Sequence, residues 1–114
     1  MDRIRRGRLR DPVTAPPRGE SVEVVAAVSG VVVEQILSGE IVAPVEYRQD
    51  HDEWVVVLAG GATLTVDGTA IGLSAGEWLL LPRETPHRLD STVPGTNWLV
   101  VRGSGSEAGE EHLL

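Results

Sequence analysis

Residues 53–88, EWVVVLAGGATLTVDGTAIGLSAGEWLLLPRETPHR, contain the pattern that decides the fold. Short runs of Val, Leu, Ile and Thr are separated by turn signals at Gly60-Gly61, Asp67-Gly68 and Ala75-Gly76. Runs of this length and spacing are typical of an all-β sandwich or barrel. Asp67-Gly68 is the strongest hairpin signal, because both central residues of a type I′ turn need a positive φ.

The same pattern extends in both directions along the chain. It predicts strands near 22–28, 31–37, 40–48, 53–59, 62–66, 69–73, 77–82, 86–90 and 96–102. No stretch has a clean 3.6-residue period, and Gly or Pro interrupts almost every window of helical length, so helices are not expected. A chain of 114 residues has room for one domain. The prediction is therefore a single all-β domain.

Charge and proline content divide the chain into three parts. Residues 1–20 hold six Arg against three acidic residues and include Pro12, Pro16 and Pro17, which predicts an extended N-terminal arm. Residues 21–102 form the predicted barrel. Residues 103–114 are predicted to be a flexible acidic tail, in which His112 has no expected role.

Composition excludes several classes of function. The chain contains no Cys, so disulfides, zinc–thiolate sites and thiol nucleophiles are ruled out. The formal charge is −7 and the arm is the only basic stretch, which argues against nucleic acid as the main partner. No apolar run approaches the ~20 residues of a membrane span. The first ten residues lack the apolar core of a secretory signal. We expect a cytoplasmic protein without a membrane partner.

Three predicted strands, 53–59, 77–82 and 97–101, are apolar on both faces. One face can line a barrel interior, and the other must also be covered. A homodimer that buries part of this second face is the favoured prediction. Coverage by the arm and strand 22–28 of the same chain is the alternative.

Two groups of polar residues carry the candidate chemistry. Tyr47, Gln49, His51 and Glu53 alternate along one strand and would therefore point to the same side. The second group ends at His87, which follows a tight turn after the apolar strand 77–82 and would lie at a barrel mouth.

These two stretches resemble the cupins, a family of small jelly-roll β-barrels. The first cupin motif is G-x5-H-x-H-x3–4-E-x6-G, and Glu53 followed by Gly60 matches its end. The second is G-x5-P-x-G-x2-H-x3-N, and Gly76, Pro82 and His87 match it at the right spacings. The resemblance spans about residues 40–101 and implies a single-domain cupin barrel.

The resemblance also implies a metal site, although an incomplete one. Cupins hold a divalent metal with the two His and the Glu of the first motif and the His of the second. Here Glu53 and His87 match, but the two His positions fall on Tyr47 and Gln49. The glycine and asparagine of the second motif fall on Glu84 and Ser91.

His51 offers a replacement ligand, because it has the same strand parity as the missing histidines. The predicted metal set is His51, Glu53 and His87 with Gln49 as a weak fourth ligand, and it would suit Fe(II), Mn(II), Ni(II) or Zn(II). The alternative is that no metal binds. In that case Glu53 is hydrogen-bonded or paired, for example with Arg88 or Arg48, and His51 lies in a solvated loop.

The implied function is to bind or act on a small molecule inside the barrel. Tyr47 and Arg88 are the expected substrate-pocket residues. One form is a metal-dependent enzyme, and the alternative is a non-catalytic ligand-binding or sensing cupin without metal. Tyr47 as general acid and His87 as base would resemble the metal-free sugar epimerases of this superfamily.

Overall fold

The structure is a computed structural model that describes residues 4–103. Nine strands follow a short 3-10 turn at Pro12–Thr14, and no α-helix occurs within these residues. The strands are β1 (Glu20–Val28), β2 (Val31–Ser38), β3 (Val45–Tyr47), β4 (Glu53–Ala59), β5 (Gly61–Val66), β6 (Thr69–Ser74), β7 (Trp78–Leu81), β8 (His87–Thr92) and β9 (Thr96–Gly103). The all-β prediction is confirmed. Within the same residues, no helix is long and apolar enough to cross a membrane.

The strands form two antiparallel sheets. The larger sheet has the order β1-β2-β9-β4-β7, and the smaller has the order β3-β8-β5-β6. The last strand, β9, therefore lies in the middle of the larger sheet between β2 and β4. Neighbours in a sheet are often distant in sequence, as expected for a jelly-roll barrel.

The hairpin between β5 and β6 has the predicted turn. Asp67 has φ 47° and Gly68 has φ 85°, so both central residues lie in the left-handed region. This geometry matches the right-handed twist of the flanking strands, which favours two-residue hairpins of this type.

The strand predicted near 40–48 is much shorter than expected, because only Val45–Tyr47 pairs with β8. Pro44 has no N–H to donate to a ladder. Upstream of it, Glu40 instead forms an isolated parallel bridge with Arg18 of the arm. This shortening leaves an irregular segment, residues 48–52, that leads into β4.

The apolar core lies between the sheets. Its fully buried members from the larger sheet are Ile36, Val55, Val57, Trp98 and Val100, and those from the smaller sheet are Leu64 and Leu89. The Trp98 indole also donates a hydrogen bond of 2.9 Å to Ser38 Oγ, and Ser38 in turn donates to the carboxylate of Glu20. This chain of bonds satisfies the polar atoms that the core buries.

The arm is docked on the barrel at two points. Its Pro16 and Pro17 carbonyls lie so close to Gly39 that a Cβ added there would be 2.0 Å from the Pro16 oxygen. Further upstream, Gln35 is fully buried and bonds both the N–H and the C=O of Arg10, at 2.9 and 3.0 Å. The side-chain amide of Gln35 thus satisfies both backbone groups of Arg10, as a neighbouring strand would.

The arm covers only part of the larger sheet's outer face. Near the β7 edge, Trp78 is 56% exposed and Leu80 is 60% exposed. The rings of Trp54 and Trp78 lie 5.9 Å apart on this face. We name the surface of Trp54, Trp78 and Leu80 the tryptophan face.

Candidate functional site in the barrel mouth

Polar side chains enter the barrel from the segment before β4. Within β4, Glu53, Val55 and Val57 alternate inward and are almost completely buried. Gln49 and His51 precede them and are 9% and 3% exposed. His51 is therefore buried, and the alternative of a solvated His51 loop is wrong.

His51 and Glu53 form a buried pair, with 3.2 Å between His51 Nε2 and Glu53 Oε2. Burial raises the pKa of the Glu53 carboxyl from 4.5 to about 7, although the hydrogen bond from His51 lowers it in part. The other oxygen, Oε1, is buried without a hydrogen-bond partner among residues 4–103. The pKa of Glu53 is thus raised toward neutral by burial, and its Oε1 atom has no partner among these residues.

Two further charged residues lie beside this pair that the sequence analysis did not single out. Arg102 stands opposite Glu53 in the ladder between β4 and β9. It forms a buried ion pair with Glu34 of β2, with Nε–Oε1 and Nη2–Oε2 distances of 3.4 Å. Glu34 raises and Arg102 lowers the pKa of Glu53. The sequence signal that could have found Arg102 is strand parity. Arg102 lies two and four residues after Val100 and Trp98, so its side chain points to the same inward face as theirs.

His87 and Tyr47 form the second part of the site, because they stand opposite each other in β8 and β3. Their ring centroids are 5.6 Å apart. His87 is 5% exposed, and its Nδ1 lies 3.0 Å from the Thr85 carbonyl oxygen. Because a carbonyl only accepts, we assign the proton of the neutral ring to Nδ1. Nε2 is then a buried acceptor, and it has no partner among residues 4–103.

The turn before His87 follows the sequence expectation. Glu84, at the position of the motif's glycine, has φ 62° in the left-handed region. Its N–H donates to the Gln49 carbonyl at 2.7 Å, which ties the turn to the segment before β4. A glycine would adopt this φ without strain.

A cavity of about 220 Å³ opens at this end of the smaller sheet. It is lined by the two predicted substrate-pocket residues, Tyr47 and Arg88, and also by Glu46, Thr65, Asp67, Gly68, Pro86 and His87. Arg88 bonds the Asp90 carboxylate and the Thr65 hydroxyl. The bonds from Thr65 and Arg88 lower the pKa of Asp90. Arg88 is thus held in place at the rim.

The metal set is brought together only in part. His51 and Glu53 are in contact, but no group of three or more His, Asp or Glu side chains in residues 4–103 is arranged to hold a metal ion. His51 Nε2 already faces Glu53, and two family ligand positions carry Tyr47 and Gln49. The set of His51, Glu53, His87 and Gln49 stays a prediction, and His112 lies outside the described residues.

Comparison with known proteins identifies the family. The sequence profile of the cupin domain matches residues 32–101, which is more than half of the chain. The chain belongs to the cupin family. Nothing among the curated proteins matches it.

Solved structures agree with this cupin fold. A proposed mannose-6-phosphate isomerase from Ralstonia eutropha JMP134 is 27% identical, with a TM-score of 0.71 over 87% of this chain and 100% of the other. KdgF from Halomonas sp. is 16% identical, with a TM-score of 0.66 over 78% and 82%. An RmlC-like cupin from Desulfovibrio desulfuricans is 20% identical, with a TM-score of 0.65 over 89% and 97%. The last two likenesses concern the fold alone.

Proposed function

We propose that this cupin binds a small polar molecule in the cavity beside Tyr47 and His87, and that it does so without a resident metal ion. The observation that carries the proposal is His87, which lines the cavity and whose Nε2 atom is buried without a hydrogen-bond partner among residues 4–103. A buried polar atom of this kind costs free energy unless a ligand or water satisfies it. A ligand hydroxyl is the natural donor.

The cavity limits the size of the ligand. A volume of about 220 Å³ is smaller than the ~300 Å³ at which sites for drug-sized molecules begin. Arg88 at the rim supplies a cation, although Asp90 already compensates it. The structural relative from Ralstonia is named for a sugar phosphate. Hexose phosphates, mannose 6-phosphate among them, and the uncharged hexoses are therefore the first compounds to test.

A calorimetric titration of this panel tests the proposal. Binding to the metal-free protein is expected, and His87→Ala should weaken it about tenfold, the loss of one hydrogen bond. Arg88→Met, which keeps the apolar stem, is the matched variant and should weaken only the phosphorylated ligands. Equal binding by His87→Ala and the parent protein would contradict the proposal.

A metal-dependent enzyme is the second candidate. It is favoured by one observation: Glu53 Oε1 and His87 Nε2, both at family ligand positions, are buried without hydrogen-bond partners in residues 4–103. Elemental analysis after reconstitution with Fe(II), Mn(II), Ni(II) or Zn(II) separates the two. Stoichiometric metal that is lost in Glu53→Ala, together with ligand binding that needs it, would replace the first proposal by the second.

We also propose that the protein is a homodimer joined through the tryptophan face. Two large apolar side chains more than half exposed on one sheet, Trp78 and Leu80, are unusual for a monomer surface when they adjoin a further tryptophan, Trp54. Burying them against a second copy would cover the face that the arm leaves open. The expectation of a cytoplasmic location stays a prediction.

A further inference from the structure

A second, larger cavity lies far from the barrel mouth. It has a volume of about 830 Å³ and is a groove between arm residues 5–9 and β1. One wall carries Arg5, Arg6 and Arg8, and the other is formed by residues 23–28. We call it the arm groove. It shares no lining residue with the cavity at Tyr47 and His87.

The arm groove combines positive charge with an apolar strand. On the strand wall, Val24, Val25 and Val28 are 56%, 46% and 70% exposed. No salt bridge to any residue in 4–103 is found for the three arginines, whereas the neighbouring Arg10 pairs with Glu23. The groove therefore fits an extended segment that carries both carboxylates and apolar side chains.

β1 also has a free edge, because it is the outermost strand of the larger sheet. An outermost strand offers unpaired backbone N–H and C=O groups to any segment that adds alongside it. An occupant of the groove can thus bind through backbone hydrogen bonds as well as through charge.

One segment of this chain has the matching chemistry. Residues 107–114 contain Glu107, Glu110 and Glu111, no arginine, and the pair Leu113-Leu114. The segment thus carries as many carboxylates as the groove has arginines, and two leucines of the kind that could cover the exposed valines. The rest of the chain outside the structure, residues 1–3, offers only one carboxylate.

The segment also starts close enough to reach. Gly103, the last residue of β9, is paired with Val31 of β2, and Val31 is paired with Val28 of β1. Two strand spacings separate Gly103 from the Val28 end of the groove by about 10 Å. Four residue steps, from Gly103 to Glu107, span up to ~13 Å. The segment 107–114 can then run along the ~17 Å of strand between Val28 and Glu23.

We propose that residues 107–114 occupy the arm groove of their own chain, antiparallel to β1, with their glutamates against Arg5, Arg6 and Arg8. Binding within one chain is favoured because the tether gives the segment a high effective concentration at the groove. The consequence is a covered sheet edge and covered valines, which would otherwise invite edge-to-edge association.

Paramagnetic broadening tests the proposal on the full chain. Because the chain has no Cys, Ala108→Cys introduces a single site for a nitroxide label. The amide signals of Val24, Val25 and Val28 should lose most of their intensity, and reduction of the label should restore it. The variant Glu107→Gln/Glu110→Gln/Glu111→Gln should abolish the broadening, as should high salt, which screens charge pairs. Removal of three exposed carboxyls elsewhere, Glu40→Gln/Glu46→Gln/Glu84→Gln, is the matched control and should leave it unchanged.

A mixed sample distinguishes the occupants. Spin-labelled chains without ¹⁵N are combined with ¹⁵N chains that lack the label. Broadening in this sample as strong as in the singly labelled chain would mean that a second copy's segment fills the groove, which overturns the proposal. Unbroadened valine amides in both samples would overturn the proposal as well. A separate peptide with acidic and apolar side chains would then be the occupant to test.

Discussion

His51 Nε2 lies 3.2 Å from Glu53 Oε2, and both side chains are almost completely buried at the point where the chain enters β4. In the family's first motif, the two metal-binding histidines fall on positions 47 and 49 of this chain, four and two residues before His51. In this chain the imidazole is instead turned onto the carboxyl. The contact therefore joins the carboxyl at a family motif position to an imidazole that the motif does not contain.

The pH dependence of stability follows from the raised pKa of Glu53. A carboxyl whose pKa rises on folding holds its proton more tightly in the folded state, so stability falls as pH rises from 4.5 to about 7. Glu53→Gln removes this ionisation. We expect the free energy of unfolding of Glu53→Gln, relative to the parent protein, to rise by on the order of 2–3 kcal/mol across that interval. Urea unfolding at pH 4.5, 6 and 8 measures it.

The difference between variant and parent isolates Glu53, since burial also raises the pKa of Glu20 and so affects both proteins equally. Glu46→Gln removes an exposed carboxyl and controls for the loss of one charge. A difference that stays constant with pH would contradict the assignment.

Breaking the ion pair of Glu34 and Arg102 should lower the free energy of unfolding much more than removing both of its charges together. Arg102→Met leaves the Glu34 carboxylate buried without its arginine, which typically costs about 3–5 kcal/mol. The double variant Glu34→Gln/Arg102→Met removes both charges and should recover most of that loss. Urea unfolding of the two variants measures the effect. A double variant less stable than Arg102→Met alone would contradict this prediction, because the loss would then not come from an uncompensated buried charge.

Gln35 should control the docking of the arm. Gln35→Ala removes the bonds to the Arg10 backbone and to Asn97, and leaves a buried gap, so we expect a loss of about 2–3 kcal/mol. It should also speed tryptic cleavage after the five arginines between residues 5 and 18, because the arm would no longer be held on the barrel by Gln35. Limited trypsin digestion followed by mass spectrometry reads this out. Val13→Ala, a change on the exposed part of the arm that keeps every arginine, is the control. Unchanged cleavage in Gln35→Ala would mean that the Pro16–Gly39 contact alone holds the arm.

The tryptophan face should determine the oligomeric state. Leu80→Glu places a charge where the proposed second copy packs, and should convert dimer to monomer in sedimentation velocity. Val93→Glu places the same charge on another apolar residue, 56% exposed but away from this face. It should leave the dimer intact. A parent protein that sediments as a monomer at all concentrations would refute the proposed dimer.

Strand positions were predictable because local signals agree with the final pairing. Asp67-Gly68 requires a specific turn, and the flanking Thr and Val runs suit only strands. The exception is 40–48, where composition favoured a strand but Pro44 and the bridge from Glu40 to Arg18 ended it. That bridge joins the arm to the barrel, and no local pattern reveals such a contact.

The site was predictable where a family motif marks it and not elsewhere. Glu53 and His87 were found by motif spacing, and Tyr47 and Arg88 were expected near the mouth, where both line the cavity. Glu34 and Arg102 were missed, because each sits alone within an apolar strand and only the pairing of β2, β9 and β4 brings them beside Glu53. The burial of His51 was likewise a consequence of packing, which residue type alone does not determine.

The position of β9 has a consequence for how the protein is made. Among the strands in residues 4–103 this one is synthesised last, yet it lies between β2 and β4 in the larger sheet. Until it emerges, β2 and β4 have no common neighbour, and Glu34 has no Arg102 to meet. The barrel therefore closes only after synthesis of residue 103, by pairings between distant parts of the chain, which are slow to form. During translation the hairpin of β1 and β2 has no β9 to pair with, so its valines stay exposed. An exposed apolar hairpin of this kind is the form that a chaperone would bind most readily.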